Sequence, residues 1–454
     1  MDMEKQQLVR SATHGGVAAL GVGTFLSTTV LLALFHPFGG DAVKSAILVM
    51  ASTAAVISLA DIFWQKVHLR PSTGIDFAQD SPSWSRAIQK LFGLIVTLCL
   101  IGSLYWLFPE YHGNFYDRYY RLLQLILPFW LVAAVPYFLF IDRKMVHPHD
   151  GYWHMAKLAL FQWNVVDGTI IRQHLLGWLI KGYFLPLMFA AMCNDIDKIS
   201  SFNVNVFGNF RESFDLIFSS LYFIDVGLVS MGYLLSLRIT DTHFRSAEPN
   251  ALGWMVALIC YQPFWSVFGS AYLNYGTGYT WGVWLWNSPV LYALWGSLIL
   301  LLTGLYVWAT VIFGARFSNL SHRGIITNGP YRWTKHPAYL TKNLSWWMIS
   351  VPFVTQGTAG EVLNHCLLLV ALNFVYLMRA KTEERHLSRD PLYVQYALWI
   401  DRHGMLRFLR LVPLLSPLAY RPPIAQWLSP EWSSSPPSPE PEARPGPREP
   451  SLLK

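Results

Sequence analysis

Apolar residues arrive in blocks near 20 residues long, separated by short polar segments, from the first turns of the chain to about residue 380. A block of that length crosses roughly 30 Å of hydrocarbon as an α-helix, at about 1.5 Å per residue. Water is absent there, so a spanning segment must satisfy its own N–H and C=O groups, as a helix does. Candidate spans lie at about 15–36, 43–64, 89–108, 120–141, 174–193, 216–237, 251–273 and 288–314. A hairpin follows, with arms at about 344–355 and 361–380, joined through the turn formers Thr355-Gln-Gly-Thr-Ala-Gly360. The expected fold is an all-α polytopic membrane protein, with about eight transmembrane helices and a C-terminal helical hairpin. Composition agrees: 53% of residues are hydrophobic and only 13% charged, too few charges to cover a soluble surface.

Lys and Arg then set the orientation. With the N-terminus inside, the inner segments hold Lys5, Arg10, Lys66, Arg70, Arg86, Lys90, Arg143, Lys144, Lys157, Arg172, Arg238 and Arg245. They also hold the cluster Arg316, Arg323, Arg332, Lys335 and Lys342, whereas the outer loops carry little beyond Lys44, Arg118, Lys198 and Arg211. This obeys the positive-inside rule and places both termini in the cytoplasm. The net charge of +7 is spread between apolar blocks, which fits topology determinants and gives no nucleic-acid surface. The partner implied is the lipid bilayer; oligomeric state is not legible.

The opening MDMEKQQLVRSATHGG has no small-residue cleavage site before the first block, so a retained first helix is expected rather than a removed signal peptide. With the compact loops, this points to a bacterial inner membrane, or to the endoplasmic reticulum in a eukaryotic cell. Cys99, Cys193, Cys260 and Cys366 show no paired spacing and read as small buried apolar residues, with no disulfide framework or zinc site. From about Arg421 to Lys454 the content of Pro, Ser and Glu predicts a disordered cytoplasmic tail. The organisation expected is a helical region over 1–245 of unassigned role, a second over 246–410 carrying a pocket, and the tail at 421–454.

Two polar stretches stand out. The first, Arg323-Gly-Ile-Ile-Thr-Asn-Gly-Pro-Tyr-Arg-Trp-Thr-Lys-His-Pro-Ala-Tyr339, joins two apolar blocks and is rich in groups that bind polar ligands. It reads equally as a loop whose cations hold topology and touch headgroups. The second runs from Arg379 through Glu383, Glu384 and His386 to Leu387, then to Tyr393 and Tyr396. Arg379 and Glu383, four apart on a helix, are expected to pair, and Tyr393 and Tyr396 to share a face. Alone, it reads as a membrane-exit helix with solvated charges.

Together, Gly329-Pro-Tyr-Arg-Trp-Thr-Lys-His-Pro-Ala-Tyr339 and the Arg379, Glu383, Glu384, Tyr393, Tyr396 element resemble the paired signatures of the isoprenylcysteine carboxyl methyltransferase and phospholipid methyltransferase family. The resemblance covers about residues 285–405. It departs at Lys335, where arginine is usual, and at Thr341 and Asp390, where glycine is usual.

The resemblance implies a membrane methyltransferase that encloses S-adenosylmethionine at the cytoplasmic edge, while a lipidic acceptor enters from the bilayer. It assigns cofactor contacts to Gly329, Pro330, Tyr331, His336, Pro337, Tyr339, Arg379, Glu383, Glu384, Tyr393 and Tyr396. Trp333 is a further aromatic candidate, and Arg332 a candidate to orient an anionic acceptor. The acceptor is left open among carboxylate, amine and thiol. Two other readings stand beside it: an NADPH-dependent sterol-reductase-like enzyme, whose signature differs at Pro330-Tyr331 and Ala338-Tyr339, and a non-enzymatic transporter or scaffold.

Elsewhere, His147, His149 and His154 with Asp150 offer metal-ligand types without regular ligand spacing, and fit a membrane-surface loop better. Asp225 falls mid-span, where a carboxylate faces a cavity or bonds a neighbouring helix. Asp167, Arg172, His174 and Lys181 cluster near the start of one span as a candidate acceptor vestibule, although snorkelling explains Lys181 equally well.

Overall fold

The structure, a computed structural model, describes residues 8–201, 208–276, 278–354, 357–410 and 419–422. Among these are eight helices long and apolar enough to cross a membrane. They are α1 (Gly15–Phe35), α2 (Ala42–Leu59), which runs on through a wider π turn to Trp64, α3 (Trp84–Leu107) and α4 (Asp117–Asp142). The short α5 (Gly151–Ala159) precedes α6 (Gly168–Ser200) and α7 (Phe210–Leu234). After α8 (Ala251–Leu258), α9 (Phe264–Tyr272) and α10 (Trp281–Trp284) come the long α11 (Pro289–Val311), the shorter α12 (Pro337–Ser350), the long α13 (Ala359–Leu387) and α14 (Pro391–His403). The outward faces are apolar and uncovered, as at Leu34, Phe129, Val132, Leu294 and Phe374. Such a surface is stable against lipid and not against water. The chain is an integral multi-pass membrane protein.

Polar side chains fix several helix starts. Asp41, Ser83, Asp167, Asn209, Thr358 and Asp390 each accept a backbone N–H from the first turn of the following helix, which satisfies donors that have no partner within the helix. Phe25, Ile57, Phe184, Phe189 and Phe223 form the middle of the main core, between α1, α2, α6 and α7.

One expected span is corrected. Residues 251–273 form two short helices, because Pro263 has no N–H to continue the first one. The broken pair still traverses the bundle. Ser246 pairs with His322 in a two-residue antiparallel ladder (β1, Ser246–Ala247; β2, Ser321–His322) at one end. Trp281 packs on Phe214, near the start of α7, at the other. The hairpin is uneven: α12 has 14 residues and α13 has 29, so α13 is itself long enough to span. The Pro-rich tail, apart from Arg421 and Pro422, lies outside the described residues, as do Thr355 and Gln356 of the expected turn. The four cysteines are free, and Cys99 is exposed rather than buried.

Candidate functional site

The end of the bundle that carries β1 and β2 holds a partly open cavity of about 1350 Å³, counted with its mouth. Both polar stretches form its walls. The first leaves α11 through a loop that turns at Gly329, whose φ of +57° suits a residue without a side chain; a Cβ there would lie 3.1 Å from Ile312. Pro330 opens a single 3₁₀ turn and Pro337 opens α12, each where a missing N–H costs nothing. Gly329, Pro330 and Pro337 therefore shape the backbone and do not line the cavity. The N-terminal segment lies along this loop, with Ala12 N–H donating to the Ile325 carbonyl at 2.9 Å.

The second stretch meets the first side chain by side chain. Tyr339 donates to Glu383 at 2.9 Å, and Lys335 lies 2.8 Å from Glu384. His336 stacks on Tyr339, with Nδ1 3.8 Å from Glu383 and Nε2 3.4 Å from Glu384; Nε2 has no aligned hydrogen bond. Tyr396, from α14, donates to the Tyr331 carbonyl at 2.7 Å. Tyr331, His336, Tyr339, Arg379, Glu383, Tyr393 and Tyr396 all line the cavity. Burial, reinforced by the nearby carboxylates, holds the phenols of Tyr393 and Tyr396 above the ordinary tyrosine range, so both stay neutral.

Other residues fall elsewhere. Arg332 is exposed and Trp333, also exposed, packs on Trp308; neither lines the cavity. Arg379 makes no pair with Glu383. Its guanidinium instead sits over the rings of Tyr339 and Tyr376, each at 5.1 Å, and Tyr261 at 5.6 Å, and donates to Asn319 at 3.2 Å. Glu384 is buried among Lys335, Lys381 and His336, and faces a second cavity between α12 and α13 that shares the Lys335, His336, Tyr339 and Tyr376 wall.

The three motif departures each find a local role. Lys335 bridges Glu384 and Asp401, Thr341 bonds the Pro337 carbonyl, and Asp390 caps α14 while its carboxylate lies 3.3 Å from His322.

Tyr261, Asn319, Tyr376, Tyr306 and Glu248 also line the cavity without having been singled out, and Lys342 lines it having been read only as a topology charge. Of the five, Tyr261 left a sequence signal, because it directly precedes Gln262-Pro263 in an otherwise apolar block. The vestibule does not form. Asp167 caps α6, Arg172 donates to the Pro249 carbonyl, His174 bonds Thr97, and Lys181 covers Trp178 and Phe244. None of the four lines the cavity. In the histidine loop, Asp150 caps α5 and lies 3.2 Å from Lys90, His149 packs on Trp153, and His154 accepts from Asp167 N–H. Among the described residues no group of His, Cys, Asp and Glu is arranged to hold a metal ion.

The fold and the site together define a multi-pass helical membrane protein with a polar, aromatic-lined cavity at one end. Residues 294–389 of that region match the Isoprenylcysteine carboxyl methyltransferase (ICMT) family. The match takes in both polar stretches as far as Arg389, stops short of Tyr393 and Tyr396, and leaves α1–α10 outside it. No curated protein and no solved structure matches the chain.

Proposed function

We propose that the protein is a membrane methyltransferase that takes S-adenosylmethionine into this cavity and methylates a lipidic or membrane-associated acceptor. The observation that carries the reading is the convergence of the two polar stretches on one cavity, inside the region that matches the family. The residues fit the donor. Among the described residues, the buried Arg379 has no carboxylate within ion-pair distance. Such an unspent donor suits a carboxylate ligand. Glu383, half-exposed and lining the cavity, suits an ammonium group or ribose hydroxyls. The ring of Tyr331, which also lines the cavity, suits a flat base or a sulfonium cation.

When bound, the donor supplies a methyl group on an already activated sulfonium. The protein's part is then to hold the reactants close and in line, which proximity alone can make fast. The cation-rich loops support a cytoplasmic placement of this end.

Calorimetry of the purified chain with S-adenosylhomocysteine tests the reading. Binding is expected, weakened about tenfold or more in Glu383→Gln, since a hydrogen bond to a charged group contributes about 1.5–3 kcal/mol. No binding, or binding of NADPH in its place, would overturn it.

A further inference from the structure

We propose that Tyr306, held by Asp225, removes a proton from the acceptor, so that the methyl group goes to an amine nitrogen or a thiol sulfur and not to a carboxylate. This rests on the methyltransferase reading above. Asp225 lies midway along α7, outside the family-matched region, and is 7% exposed. Its Oδ2 accepts from the Tyr306 hydroxyl at 2.5 Å, and the Thr310 hydroxyl also interacts with this carboxylate. Tyr306 and Thr310, one turn apart on α11, both line the cavity, as does Lys342 of α12. The Lys342 ammonium stands 4.8 Å over the Tyr306 ring and 5.6 Å over Trp346, with no carboxylate at ion-pair distance among the described residues.

The Tyr306 hydroxyl that Asp225 holds opens into the cavity with the Lys342 ammonium beside it, an access that an aspartate only joining α7 to α11 would not need. Lys342 offsets the charge of the carboxylate and favours a neutral amine over an ammonium, or a thiolate over a thiol. A carboxylate acceptor would have no proton to give, which would leave the Tyr306–Asp225 pair without a task. In the step, the acceptor lone pair forms the bond to the methyl carbon as the carbon–sulfonium bond breaks, its electron pair staying on sulfur. The acceptor proton passes to the Tyr306 oxygen as the Tyr306 proton passes to Asp225. The products are a neutral thioether, the methylated acceptor and a neutral Asp225.

The test uses the full chain in detergent with methyl-labelled S-adenosylmethionine and three probes: dodecylamine, dodecanethiol and an N-acetylated S-farnesylcysteine, whose one acceptor group is its free carboxylate. Label is expected in the amine or the thiol. Tyr306→Phe and Asp225→Asn should each cut that transfer about 100-fold at neutral pH, a typical share for a general base, with S-adenosylhomocysteine affinity within about twofold of wild type. The thiol rate of Tyr306→Phe should climb by about tenfold per pH unit as the free thiolate accumulates, a dependence that a purely structural role would not produce. Label in the carboxylate probe alone, label in none of the three by a chain that binds S-adenosylhomocysteine, or unimpaired transfer in both variants would each overturn the proposal. A wild-type chain that does not bind S-adenosylhomocysteine sinks the methyltransferase reading instead.

Discussion

Glu383 and Glu384 are adjacent in sequence, yet they do different things. One residue is about 100° of helix, so Glu383 meets Tyr339 at the cavity while Glu384 turns into a buried cluster with Lys335, Lys381 and His336. Replacing Glu384 with Gln leaves Lys335 to share Asp401 alone. Breaking a buried pair on one side costs about 3 kcal/mol, so Glu384→Gln should lower the melting temperature in detergent by several degrees. Glu383→Gln should leave it nearly unchanged and act on ligand affinity. An equal loss of stability in both variants would count against this division. The sequence made the residue types legible but not their directions. The expected Arg379–Glu383 pair fails because Tyr376, one turn back on α13, and the sequence-distant Tyr261 and Tyr339 surround the guanidinium and hold it away.

Where the spans fall was legible in hydropathy, because the thickness of hydrocarbon sets the apolar block, but α6 and α13 run on to 33 and 29 residues, past the blocks expected at 174–193 and 361–380. What hydropathy missed is continuity: α8 and α9 are as apolar as a span, and only Pro263 betrays the break that brings Tyr261 to the site. The same limit hid β1 and β2, two residues each, which tie the chain before α8 to the loop after α11. His322 of β2 is the sensitive point of that tie. Burial, helped by Arg245 and opposed by Asp241, pushes its imidazole down to about 4 from the usual 6.5. Between those values the unfolded chain binds the proton and the folded one does not, so stability is full above about pH 6.5 and falls as pH drops toward 4. The loss reaches about 3 kcal/mol below pH 4. Melting curves between pH 7.5 and 4.5 should show that fall, and His322→Gln should remove its share of it, leaving that of His386, whose imidazole burial also pushes down to about 4.

Across the whole molecule, the region that resembles a methyltransferase is held in place by helices with no part in the resemblance. Arg316, which lines the cavity, is 2% exposed and lies 3.3 Å from Asp61 of α2 and 3.6 Å from Asp241. Arg70 and Arg245 share that same Asp241. Arg323 donates to the carbonyls of Gly232, Leu235, Thr242 and Phe317. No sequence pattern announces such links, because their partners lie up to 255 residues apart and each residue alone reads as a topology charge. The physics nevertheless predicts a distinctive pattern. Asp61→Asn leaves three arginines around one carboxylate, an uncompensated buried charge that costs about 3 kcal/mol or more. Because Arg316 faces the cavity, its release should also weaken S-adenosylhomocysteine binding. Removing both partners, in Asp61→Asn with Arg316→Gln, removes the unpaired charge as well as the pair. The double variant should therefore melt higher than Asp61→Asn alone, a coupling of about 1–3 kcal/mol that a double-mutant cycle in detergent would measure. Strictly additive losses would mean that the Asp61–Arg316 pair has no part in joining the two halves.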